Sequence, residues 1–127
     1  MRKVCTILLI AIGLLNLFPI IGVLSAEHIN GLYGIRIESA DLEILMRHRA
    51  AMLGLIGSFL LLAAFRPSLQ MLAASMGLAS MSSFVILAYL AGDNGFQIHR
   101  VVVADIAGSV AAALIIAIIF RERRNAA

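Results

Sequence analysis

Charge is scarce in this chain: Asp, Glu, Lys and Arg make up 13% of 127 residues, and lysine occurs once, at Lys3. Soluble domains carry roughly a quarter charged residues, so this composition does not describe one. Cysteine is equally sparse. Cys5 stands alone, which excludes an internal disulfide and a CxxC redox centre. Beside Arg2 and Lys3, near a membrane surface, it reads as an inert small residue rather than an acylation site. His28, His48 and His99 fall on separate elements, so no zinc-ligand spacing exists and no metal is expected. There is no GxxxxGK[ST] phosphate loop, no GxGxxG after a strand and no GxSxG elbow. The methionines sit at helical positions without a histidine-linked cluster and read as packing rather than a copper path. No cofactor and no catalytic residue is expected from these patterns.

Apolar sequence is abundant instead. Hydrophobic residues reach 62% and the mean hydropathy is +1.03. Four apolar runs, around Val4–Val23, Ala50–Phe65, Met71–Ala91 and Val101–Phe120, each approach the roughly 20 residues that a membrane crossing needs. The expected fold is all-α: one bundle of four transmembrane helices over 1–127, with helices at about 4–24, 40–65, 69–91 and 100–120. The N-terminus also fits a signal peptide in outline. However, Val4–Val23 exceeds the roughly 7–15 residues of a signal h-region, and Leu24 spoils the best cleavage site, so a retained helix is expected.

Local signals place the boundaries. Pro19, close to Asn16, removes a backbone donor and predicts a kink near residues 15–19. The segment 25–40 alternates polar and apolar residues and is expected to lie as an amphipathic loop against the bundle mouth or headgroup layer. Ser39 is a suitable N-cap, with Asp41 and Glu43 at the positive end of the helix macrodipole. Arg66-Pro67-Ser68 predicts a tight hairpin, with proline where a helix can begin. Gly92-Asp-Asn-Gly95 is a turn signal.

The net charge of +3 does not point to nucleic acid, because the ten Lys and Arg are scattered over loop ends and tails. They bear on topology instead. Arg2, Lys3, Arg66, Arg121, Arg123 and Arg124 fall on one side, against Arg36, Arg47, Arg49 and Arg100 on the other. The positive-inside rule then predicts N-in and C-in.

Asp105 is a lone carboxylate within the last apolar run, where a charge needs a partner or a role. With that topology it lies about 6–8 Å below the start of its helix, by the helical rise. Arg47 and Arg49 stand at comparable depth on the second helix. Of the two, Arg47 aligns better with the small face Ala50, Gly54 and Ser58, and an Asp105–arginine ion pair is expected. Asn16, Ser82 and Ser83 come to the same half. The candidate cluster is therefore Asn16, Arg47, His48, Arg49, Ser82, Ser83 and Asp105, with His99 and Arg100 at its mouth. The cluster serves as structural glue between helices, as a site for an anionic or lipid-like ligand, or as a proton or substrate relay through Asp105 and His48 in a small transporter or channel subunit. Small-residue faces on three of the helices serve contacts within one chain, with a second copy, or with a membrane-protein partner.

The block Leu45-Met-Arg-His-Arg-Ala50, with Gly54, Gly57, Ala63-Ala-Phe-Arg-Pro67 and Gln70, also carries a resemblance. Together with Leu32-Tyr-Gly-Ile35, Ser80–Phe84 and Val101-Val-Val-Ala-Asp105, it resembles a family of small bacterial four-helix membrane proteins. Many of these are catalogued as phosphopantetheine adenylyltransferase. That activity belongs to a soluble enzyme with a His-x-Gly-His motif and a further lysine site. Arg47-His48-Arg49 has neither the glycine nor the second histidine, so adenylyl transfer is rejected. In size and architecture the chain is also similar to DoxX-like proteins, which implies fold only. Small multidrug transporters carry an embedded glutamate in the first helix, where this chain has Asn16, so their mechanism does not transfer. The resemblance implies a bacterial membrane protein, and without a recognisable nucleophile or metal set a non-enzymatic protein of the inner membrane is expected.

Overall fold

The computed structural model describes residues 2–93 and 95–126. The elements are α1 (Arg2–Leu17), a 3-10 segment (Phe18–Val23), α2 (Ala26–Tyr33), α3 (Ala40–Ala64), α4 (Pro67–Ala91) and α5 (Phe96–Ala126). No strand occurs among the described residues. Four stretches are long and apolar enough to cross a membrane: Lys3–Val23, Ala40–Ala64, Pro67–Ala91 and Phe96–Asn125. Their outward faces carry large apolar side chains such as Ile7, Leu55, Leu72, Ile86 and Val110.

The all-α bundle expected from hydropathy is present, with shifted boundaries. The tight hairpin is there, and Pro67 opens α4 two residues before the expected start, where its missing N–H has no intrahelical partner to lose. The last helix starts at Phe96, before the apolar run, and carries Gln97 and Arg100 as helical residues. Residues 25–40 contain a true helix rather than only a loop. Ser25 caps α2 by accepting from the His28 amide at 3.4 Å, and Gly34 ends it at φ 65°. That left-handed conformation favours glycine. A Cβ on Gly34 would also stand 2.9 Å from the Gln97 side chain, so the end of α2 is pressed against α5.

Around the ring α1–α3–α4–α5 each helix touches the next. The half that holds the α3–α4 hairpin is densely packed. Leu9 and Ile12 of α1, Leu60 and Ala63 of α3, Ala73 and Ala74 of α4, and Ala112 and Ile115 of α5 are all buried there. Alanines on three of the four helices let the backbones approach. The α3 C-terminus leaves an orphan carbonyl on Ala64, which accepts from Thr6 Oγ1 at 3.2 Å and from buried Gln70 Nε2 at 3.4 Å. Cys5 is buried in the same core.

The other half is looser, for a reason that begins at Pro19. The proline cannot donate to the carbonyl one turn earlier, and the backbone tightens into the 3-10 segment at Phe18. Below that point α1 packs on both α3 and α5. Above it, the 3-10 segment packs on α3 and α2 and touches neither α4 nor α5. The expected kink is therefore a change of helix type, and it draws the chain away from α5.

Candidate functional site

The gap left by that departure is a cavity of about 610 Å³ in the half that holds α2. Its walls are helical stripes at three- and four-residue spacing, the geometry of one face. Arg49, Met52, Leu53 and Ile56 come from α3; Ser80, Ser83, Phe84 and Leu87 come from α4. Gln97, Arg100, Val101, Ala104 and Asp105 come from α5, and Leu15, Asn16 and Phe18 from α1 and the 3-10 segment. Gly31, Leu32 and Tyr33 of α2 complete it. Most of the wall is apolar. Arg100, Gln97, Tyr33 and Arg49 gather towards the end where α2 and the start of α5 meet, and Asn16, Ser80 and Ser83 add polar groups elsewhere in the wall.

Arg49 is fixed by aromatic faces. Its guanidinium carbon lies 5.0 Å from the centroid of Tyr33 and 4.5 Å from that of Phe84. Each such contact contributes about 0.5–2 kcal/mol, depending on desolvation. Tyr33 is buried at the end of α2, and burial holds its phenol above the usual tyrosine range, with the Arg49 charge opposing. The hydroxyl therefore stays protonated at neutral pH and remains a hydrogen-bond donor. Asp105 faces Arg49 across the cavity, but the two do not meet. Among the described residues the one ion pair within 4.0 Å is Arg47–Glu43, at 3.0 Å. The side chains of Asp105, Gln97 and Arg100 and the Tyr33 hydroxyl have no hydrogen bond to any described residue.

The expected Arg47–Asp105 pair does not form. Successive helical residues are about 100° apart, so Arg47 and Arg49 differ by about 200° around α3. Arg47 turns outward, bonding Glu43 and donating from Nε to the Val23 carbonyl at 2.8 Å. It thereby ties the end of the 3-10 segment to α3. The small face aligned with Arg47 packs on the preceding chain instead. A Cβ on Gly57 would lie 2.5 Å from Leu17 N, and one on Gly54 would lie 2.5 Å from Ile20 Cδ1. Ala50 is 3.4 Å from where a Gly22 Cβ would stand.

The remaining candidates divide. Asn16 is buried and lines the cavity, with Nδ2 donating to Ile12 O at 2.9 Å and touching Met81 Sδ at 3.6 Å. Ser83 lines the cavity but donates to Ser80 O at 2.8 Å, within its own helix. Ser82 lies outside the lining and donates to Leu78 O at 2.6 Å. His48 and His99 are exposed and outside the lining, so neither belongs to the cluster that the sequence suggested. Arg100 does stand at the mouth. Tyr33, Phe84 and Gln97 were not among the expected site residues. The Gly34 helix stop was the available signal for Tyr33, since it marks the end of a short helix folded back on the bundle. Among the described residues no three His, Cys, Asp or Glu side chains converge.

A double-mutant cycle separates the two arginines. Arg47→Gln removes an exposed i,i+4 pair worth about 0.5 kcal/mol, together with one bond to a carbonyl. Combined with Asp105→Asn in thermal unfolding, it is expected to add without coupling. A coupling above about 1 kcal/mol would mean that Arg47 and Asp105 do interact.

No family model, curated protein or solved structure matches this chain, so its function has to be argued from the cavity itself.

Proposed function

We propose that this protein is a non-enzymatic, multi-pass protein of the bacterial inner membrane that holds a small amphiphile in the cavity between its helices. The observation that carries this reading is the cavity's division. Arg49 and Arg100 stand at its polar end with no carboxylate of the described residues within 4.0 Å, and the remainder is mainly apolar. An anionic head would sit against the two guanidinium groups, and a tail would lie among Leu15, Leu53 and Ile56. A volume of about 610 Å³ falls within the range of small-molecule sites, roughly 300–1,000 Å³. The excess of Lys and Arg at the end opposite the cavity supports N-in and C-in, which puts the cavity mouth on the outer face. The likeness to small four-helix bacterial membrane proteins supports the same location. A proton relay through Asp105 and His48 has less support, because His48 is exposed and outside the lining.

The test is titration of the purified protein, in a neutral maltoside detergent, with dodecyl phosphate and with dodecanol, followed by native mass spectrometry. Dodecyl phosphate is expected to bind at one per chain and at least about tenfold more tightly than the alcohol, the scale of a charge-assisted hydrogen bond. Equal, unsaturable binding of both would overturn the proposal.

A further inference from the structure

We infer that the amphiphile held in this cavity carries a hydroxyl part-way along its chain, bound by Asn16 and Ser80. The inference rests on the binding role proposed above and names the class of chain that fits. Asn16 is 4% exposed and lines the cavity. Its carboxamide nitrogen is committed, donating to Ile12 O at 2.9 Å and touching Met81 Sδ at 3.6 Å. The atom beside Ile12 O has to be the nitrogen, because a carbonyl accepts only from a donor. The other arm of the amide, Oδ1, has no hydrogen bond to any described residue. Nor is it enclosed by protein, since the one sealed side-chain polar atom without a partner among the described residues is Ser109 Oγ. Oδ1 therefore faces the cavity as a free acceptor. Among apolar side chains an unpaired amide oxygen is costly, and a ligand donor removes that cost.

A second polar group stands at about the same depth. Ser80 precedes Met81 in α4, lines the cavity, and its hydroxyl has no hydrogen bond to any described residue. A ligand hydroxyl suits this pair, because it can donate to Asn16 and accept from Ser80 at once. Its distance from the acid head follows from the helices. Gly57 lies against Leu17, so Asn16 is nearly level with it, and Arg49 is eight residues nearer the mouth, about 12 Å along α3. The Arg49 guanidinium lies over Phe84, which is one turn nearer the mouth than Met81, or about 4.5 Å along α4. The head and the hydroxyl are thus about 5–12 Å apart, which puts the hydroxyl near the middle of a twelve-carbon chain.

The probes are dodecanoate, dodecanoates hydroxylated at the sixth, seventh or eighth carbon, and the corresponding oxo acids. An oxo group has nearly the same size but accepts without donating. In competition titrations below their micelle-forming concentrations, read by native mass spectrometry, at least one hydroxy acid is expected to bind about fivefold more tightly than dodecanoate, the scale of a net hydrogen bond. Its oxo counterpart is expected to gain less than about twofold. Asn16→Leu is expected to bring the hydroxyl preference below about twofold while dodecanoate still binds. If Asn16→Leu does not fold, the wild-type comparison of hydroxy with oxo acid is decisive by itself. Equal binding of plain, hydroxylated and oxo acids would overturn the inference and leave the binding role standing. A preference that persists in Asn16→Leu would seat the hydroxyl elsewhere, for instance on Asp105, and would overturn the assignment. Failure of all the amphiphiles, dodecyl phosphate included, would overturn the binding role as well.

Discussion

Gly57→Val is expected to remove most of the folded protein, measured as monodisperse yield in detergent and as the unfolding midpoint. A Cβ at Gly57 would stand 2.5 Å from Leu17 N, 2.7 Å from Gly13 O and 2.9 Å from Leu17 Cα. All three are backbone atoms, so no rotamer change relieves the clash. α1 and α3 would have to separate just where α1 passes into the 3-10 segment. Overpacking of a well-fitted contact costs about 1–3 kcal/mol, and forced backbone separation lies at or above the top of that range. Two other glycines act as controls. A Cβ on Gly54 meets only the Ile20 side chain, which can turn away, so Gly54→Ala is expected to lose much less. Gly31 has nothing within 4 Å of its Cβ position, so Gly31→Ala in α2 is expected to be neutral or to stabilise by about 0.5–1 kcal/mol. A valine at Gly57 that folded normally would mean that α1 and α3 are not in backbone contact there.

Arg49→Ala is expected to weaken dodecyl phosphate binding by roughly 10- to 100-fold, the equivalent of about 1.5–3 kcal/mol for a hydrogen bond to a charged group. The change removes the cation held between Tyr33 and Phe84 as well as a donor to the ligand. Arg49→Lys separates these contributions. Lysine keeps the charge but not the planar guanidinium that stands over the two rings, so an intermediate loss is expected. Arg47→Ala lies on the other face of the same helix and should leave binding unchanged. Equal losses at Arg47 and Arg49 would remove the distinction between the two faces and with it the assignment of the cavity. The titrations proposed above provide the measurement.

The contrast between these arginines also shows how far the amino-acid order carries. Depth along a helix is legible, because rise per residue is constant; this brought Arg49, Asp105 and Asn16 to the same half of the bundle. Rotation about the axis is not legible for α3, because apolar and small residues occur around its whole circumference. The choice of Arg47 rested on the small residues Ala50 and Gly54, and those face the 3-10 segment instead. The kink was visible in Pro19, but its direction was not. That direction depends on Ile20 and Gly22 finding space against α3, a contact between positions far apart in the chain. The same bend creates the cavity, so the cavity itself could not be read from local signals. α2 escaped notice because eight residues give little more than two turns of periodicity. Its limits, Ser25 and Gly34, were nevertheless standard cap residues. Ser39 was legible as a cap, since its signal is local: it accepts from the Leu42 amide at 3.1 Å.

Tyr33 permits the most direct measurement. The chain has no tryptophan and two tyrosines, and the second, Tyr89, is exposed outside the cavity. In a Tyr89→Phe background, intrinsic fluorescence therefore reports from the cavity wall alone. Titration with dodecyl phosphate is predicted to change Tyr33 emission saturably, at one amphiphile per chain. Adding Ala104→Phe, which fills part of the cavity from α5, is predicted to abolish that change while the helical circular dichroism stays constant. A linear change without saturation, the same in both proteins, would contradict a binding site between the helices.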